Sequence, residues 1–257
     1  MEYASLTGRS FSTAERAAVA ASLPLVAHAA KLPFVRVWGK VFGHKNDFIV
    51  AQCYDTNVLA QPRSYFSMDG GLTFNVLDPV SPSRFTHCSR IRGPYLGDPA
   101  YEYRVVDPVT TEAVSIKESE RLAWFVQQHD EDCCVAPRGA LLRHEDSTVR
   151  VNSTFDGLDF SAATYLNQYL HVRQPRRTVS ALEQEGVFVP ADFFDPLVDD
   201  VPTGMWRLKY DGMLQLVSGT SALYPGSVFF HRPETPLYGN IYMGEGAING
   251  DLAFSLQ

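Results

Sequence analysis

The chain has 257 residues, enough to bury a substantial core in one large or two small domains. Its 45% apolar and 12% aromatic content excludes a disordered chain, and a net charge of −7 argues against a nucleic-acid binder, which calls for a basic stripe. The four cysteines, Cys53, Cys88, Cys133 and Cys134, form no CxxC pair and no zinc spacing, which points to free thiols in a reducing compartment.

The first element in chain order is a helix. Ser12-Thr13-Ala14-Glu15 has the form of a capping box, and the helix it opens is expected to run to about residue 31. Pro24 either breaks it or falls in the first turn of a second helix capped by Ser22. The Ala-rich run over 17–30 is too short and too weakly apolar for a membrane span. It has no basic segment ahead of it, so a signal peptide is not expected either.

Two strands follow, over 34–42 and 48–54, joined by His44-Lys45-Asn46-Asp47. If Val41 faces Ile49, then Gly39 faces Ala51, and that small pair lets a helix approach the sheet. Arg36, Trp38 and Lys40 then share the other face, an aromatic and basic surface read as wet or partner-facing. A second hairpin is expected over 64–68 and 72–77 around Asp69-Gly70-Gly71, and then a loop over 78–89 with at most a turn of helix.

Strands over 101–106 and 112–117 lead to a helix over 118–129, with acidic residues in its first turn and Leu122, Phe125, Val126 and His129 on one face. A short buried strand over 133–136 and a strand pair over 140–144 and 148–151 come next. Asp159 or Ser161 is expected to cap a helix reaching residue 170, with His171 at its end. The basic stretch 173–178 reads as exposed, and the acidic loop 192–200 as serving solubility or a basic partner. Four strands near 206–210, 214–218, 227–231 and 238–243 precede a terminal segment punctuated by Gly244, Gly246 and Gly250. The expected class is α+β: antiparallel hairpins with the Ala-rich helix and two further helices packed on the sheet, in a single domain over 1–257.

No set of residues makes a persuasive catalytic site. GxSxG is missing, and Cys133 and Cys134, four residues past His129, point to opposite faces of a strand and cannot serve one site together. The seven histidines show no HExxH or paired spacing, so no metal ligands are assigned. Residues 239–246 carry spaced glycines but place Glu245 where a phosphate-binding loop needs lysine, so no cofactor is assigned. Asp98 with Glu102, and Asp199 with Asp200, are carboxylate pairs of ordinary kind. Trp38, Tyr101, Tyr103, Trp206, Tyr210, Tyr238 and Tyr242 sit among polar residues on strands, the composition of a protein interface.

Several ordered blocks carry a resemblance. They are Trp38-Gly39-Lys40-Val41-Phe42-Gly43 with Phe48-Ile49-Val50-Ala51-Gln52, Gly97-Asp98-Pro99-Ala100-Tyr101-Glu102-Tyr103, and Val135-Ala136-Pro137-Arg138-Gly139. Asn152-Ser153-Thr154-Phe155-Asp156-Gly157-Leu158, Tyr238-Gly239-Asn240-Ile241-Tyr242-Met243-Gly244-Glu245-Gly246 and Asp251-Leu252-Ala253-Phe254 complete the set. In this order they resemble the radial spoke head protein 9 family of motile cilia, while 55–92 and 172–204 fit that family poorly. The resemblance implies a non-enzymatic structural subunit of the spoke head in the axoneme, without cofactor, metal, nucleic acid or membrane. It implies assembly with radial spoke head proteins 4 and 6 and the MORN-repeat proteins 1 and 10, and transient contact with central pair projections that regulates dynein-driven bending. Arg36, Trp38, Lys40, Tyr238, Tyr242 and Glu245 are the expected partner-facing residues. The alternative is a soluble enzyme or ligand-binding domain, which requires a pocket of convergent polar groups.

Overall fold

Ser12 opens the first long helix as its sequence predicts. Its hydroxyl accepts from the Glu15 N–H, and the Glu15 carboxylate accepts from the Ser12 N–H, which satisfies two helix-end donors at once. The helix spans Thr13–Ala30 with Pro24 inside it, so the proline does not divide it. The computed structural model describes residues 1–106, 113–187 and 189–255. The expected strand over 112–117 therefore begins outside the described residues, at position 112. Among the described residues, helices and mostly antiparallel strands make an α+β protein. The chain divides into two units, each assembled from separated stretches of sequence.

The first unit comprises Met1–Cys53, Pro62–Asp130 and Tyr242–Ile248. Its sheet runs, in order, from the end of strand Tyr238–Gly244 through Phe34–Val41, Phe48–Tyr54 and Arg63–Ser67 to Asn75–Leu77 at the edge. The first of these pairings is parallel, with Gly39 opposite Tyr242, and Arg63–Ser67 pairs antiparallel with both its neighbours. Val26 and Ala30 of the long helix pack with Cys53 and Tyr65. Ser22 donates to the Gly71 carbonyl at 2.7 Å, and Arg63 donates to the Ala30 carbonyl at the helix end. The opposite alternation of the strands meets residues 118–130 of the helix Glu118–Cys133, with Trp38 against Phe125 and His129. The segment after Asp78 holds a helix, Pro82–Cys88, with proline in its first turn. Strands Glu102–Val106 and Ala113–Lys117 pair antiparallel.

The second unit comprises Tyr54–Gln61, Glu131–Ile241 and the residues from Asn249. Strands Trp206–Asp211, Leu216–Ser221 and Ser227–His231 lie side by side, followed by the start of Tyr238–Gly244. Val135–Pro137 pairs with Tyr169–His171, and Leu141–Arg143 with Val149–Val151. Ala136, Leu141, Leu170, Leu182, Phe193 and Phe194 are among the residues of its apolar centre.

Two expectations fail here. The helix over 159–170 does not form. Tyr165 is extended, which leaves single turns at Ala162–Thr164 and Leu166–Gln168, and Tyr169–His171 is a strand with every residue buried. Pairing with Val135–Pro137 outweighs the local helix signal, and the Tyr169 hydroxyl fixes the turn by donating to the Ala163 carbonyl. The acidic loop is not a solvated one either. Phe193, Phe194 and Leu197 are buried, and three of its four carboxylates are paired internally: Asp192 with Arg138, Asp195 with Arg173, and Asp200 with His171 and Trp206. Arg173, read as exposed, lies with only 11% of its side chain accessible.

Candidate partner interface

The strand Phe34–Val41 places its polar and aromatic side chains within the first unit. The Trp38 ring is buried, and its Nε1–H donates to Asp130 Oδ1 at 2.7 Å. Gln52 donates to the other oxygen of the same carboxylate and to the Ser64 hydroxyl, and accepts from Arg36 Nη2 at 3.4 Å. Arg36, Gln52, Trp38 and Asp130 are thus one polar set, and the helix end supplies its acceptor. A buried indole requires such an acceptor.

Lys40 is also buried, with Nζ 2.7 Å from Glu15 and 2.8 Å from Asp47. Burial works against its charge, but the two carboxylates more than offset this and raise its pKa. Trp38 and Lys40 were expected to share a face, yet they are tied to different helices. Gly39 lies between them at φ +156°, and a Cβ there would fall 2.0 Å from the Tyr242 carbonyl oxygen. The missing side chain admits the neighbouring strand, rather than the helix expected from the sequence, and it interrupts the regular alternation.

Tyr242 is fully buried among Trp38, Phe125 and His129, its hydroxyl accepting from the Gly246 N–H. In the second unit Tyr238 is half-buried, edge-on to Phe155. Glu245 is exposed and pairs with Arg9, whose guanidinium lies over the Phe42 ring. Of the six residues expected to face a partner, Glu245 is therefore exposed, Arg36 and Tyr238 are half-buried, and Trp38, Lys40 and Tyr242 lie inside.

The residues weighed for chemistry hold structural positions. Cys133 is buried, and burial pushes its thiol far above the usual range, away from the reactive thiolate. All four cysteines are free. Asp98 accepts from the Ala100 N–H and Glu102 from the Ser115 hydroxyl, so each is used within its own turn or hairpin. His171, expected at a helix end, is a buried strand residue with Nε2 2.9 Å from Asp200. Among the described residues, no three or more His, Cys, Asp or Glu are grouped to hold a metal ion, and no helix is long and apolar enough to cross a membrane.

Sequence reasoning missed three features. Glu118, at the helix start, is fully buried and accepts from the N–H groups of Leu96, Gly97 and Asp98 and from the Tyr103 hydroxyl. It fixes the Gly97-Asp98-Pro99 turn, and a Glu opening a helix after a Gly-Asp turn is the only visible signal. Asn240 grips the Val135 backbone from both sides, donating to its carbonyl and accepting from its N–H at 2.9 and 3.0 Å. The third is a cavity of about 970 Å3 in the first unit, beside the edge strand Asn75–Leu77. Phe66, Leu77 and Val80 are among its apolar lining residues, and Arg84, Glu102 and Lys117 are among its charged ones.

No family model matches the chain. Among curated proteins it is 35% identical to the radial spoke head protein 9 homolog of Danio rerio, across the whole chain and 97% of that protein. The homologs of the same name from Bos taurus and Homo sapiens are 34% and 33% identical, again over the whole chain and 97% of their length.

Proposed function

Because the chain belongs to the radial spoke head protein 9 family, we propose that it serves as a non-enzymatic structural subunit of the radial spoke head, acting as a single domain. Its place is the spoke head of the ciliary or flagellar axoneme, in association with other spoke-head proteins. The finer reading is assembly with radial spoke head proteins 4 and 6 and with the MORN-repeat proteins 1 and 10. On the same reading the head meets central pair projections briefly and helps pass the signals that regulate dynein-driven bending. The observation that carries this reading is similarity to proteins of that name along the full length of both chains. The side chains suited to chemistry support it, since Cys133 is buried as a thiol and Asp98 and Glu102 are committed to local hydrogen bonds.

The test is fractionation of motile cells that express a tagged copy. After detergent removes the membranes and moderate salt washes the cilia, the tag is expected to remain with the axoneme. It is expected to leave when another spoke-head protein is depleted. A tag wholly in the soluble fraction overturns the reading.

A further inference from the structure

The cavity beside Asn75–Leu77 combines features that specify what fills it. The strand is at the edge of its sheet, paired on one side only, with Arg63–Ser67. Among the described residues, no other backbone group bonds to the N–H or C=O groups of 75–77. Sheet edges left open in this way are commonly covered, shortened or blocked by charge, because they template another strand. Here the edge is short, yet the exposed Val76, at 60%, and Met68, at 37%, add apolar surface beside it. All three residues of this edge strand line the cavity, together with Phe66.

Its charges limit the occupant further. Arg84 and Glu120 pair with each other, and Glu102 accepts from Ser115. That leaves three charged groups on the cavity without an ion pair among the described residues: the Lys117 ammonium and the Asp78 and Glu102 carboxylates. Opposite charges at separate points suit a chain of mixed charge. A polyanion would meet Asp78, Glu102 and Glu120 together. The unmet groups are therefore main-chain donors and acceptors, apolar side chains and charges of both signs, which are the needs of an extended polypeptide.

We propose that this cavity receives an extended segment of a neighbouring spoke-head protein, added to the sheet as a further strand on Asn75–Leu77. Pro79, with no N–H, ends the edge, so main-chain pairing is confined to three residues and the apolar side chains supply the remaining contact. The segment turns apolar side chains toward Phe66, Leu77 and Val80, and presents a carboxylate to Lys117 and a cation to Asp78. This inference rests on the spoke-head role proposed above.

Hydrogen exchange read by mass spectrometry tests it, comparing spoke heads isolated from cilia with the full-length chain alone. Amides 75–78 are expected to exchange at least tenfold more slowly in the heads. In parallel, a Val76→Lys, Met68→Glu double variant is expected to enter spoke heads at no more than a tenth of the wild-type level, with an unchanged melting curve. Equal exchange rates at 75–78, or wild-type incorporation of the double variant, overturn the proposal while leaving the spoke-head role in place. Absence of the unmodified chain from purified heads overturns both. Should the double variant melt early, the exchange comparison on the unmodified chain decides alone.

Discussion

Trp38 shows what a single residue does when its polar atom is buried. Its Nε1–H has one acceptor, Asp130, which also serves Gln52. Trp38→Phe keeps most of the ring and removes the donor, leaving that carboxylate one partner short. A loss of about 1–3 kcal/mol is expected in urea unfolding, with the melt still cooperative. His231 makes a different kind of contribution. It is buried, its Nδ1–H donates to the Leu237 carbonyl, and its Nε2 accepts from the Leu158 N–H. Burial lowers its pKa below 6.5, more than the Leu237 bond raises it. In the unfolded chain the imidazole takes up a proton below about pH 6.5 while the folded one stays neutral. Stability contributed by neutral His231 is thus present above that pH and is lost as pH falls toward the folded value. Measured between pH 7.5 and 5.5, unfolding midpoints are expected to drop more for the wild type than for a His231→Gln variant, which carries no titrating group at 231. Equal drops would reject the assignment. Neither burial was visible in the sequence, where Trp38 beside Arg36 and Lys40 has the composition of an exposed interface. Composition does not distinguish an aromatic that meets a partner from one that meets its own helix.

At the scale of elements, the sequence was most readable where local chemistry and packing agree. The capping box at Ser12, the turn at Asp69-Gly70-Gly71 and the face of Leu122, Phe125, Val126 and His129 each gave an element close to its observed place. It was least readable where a distant strand decides. Residues 159–170 carry helix-capping signals, but the stretch ends in Tyr169–His171, which pairs with Val135–Pro137, and nothing local records that pairing. The acidic loop misled for a similar reason, because its basic partners, Arg138, His171 and Arg173, are far away in sequence or belong to another element. Gly39 was legible as a point of close approach but not in what approaches it. Gly39→Ala is expected to cost about 1–3 kcal/mol from its backbone conformation alone, with further loss from the clash against the Tyr242 carbonyl. A variant unfolding at the wild-type denaturant midpoint would show that the strand pair relaxes freely. The candidate interface was legible mainly as a family resemblance; the cavity beside Asn75–Leu77 was not, since an open edge is a property of strand order and no short stretch of sequence encodes it.

For the molecule as a whole, the full-length similarity to spoke-head proteins and the two-unit organisation are separate facts that bear on one another through chain connectivity. A net charge of −7 weakens contact with acidic surfaces. Each unit is assembled from three separated stretches of sequence, so neither corresponds to a continuous fragment. The parallel neighbour of Phe34–Val41 comes from Tyr242–Gly244, close to the end of the chain. During synthesis, at roughly 5–20 residues per second, the ribosome reaches that neighbour about 200 residues and on the order of 10–40 seconds after the first strand is made. Throughout that interval the nascent strand has a vacant side, open to any other strand that can pair with it.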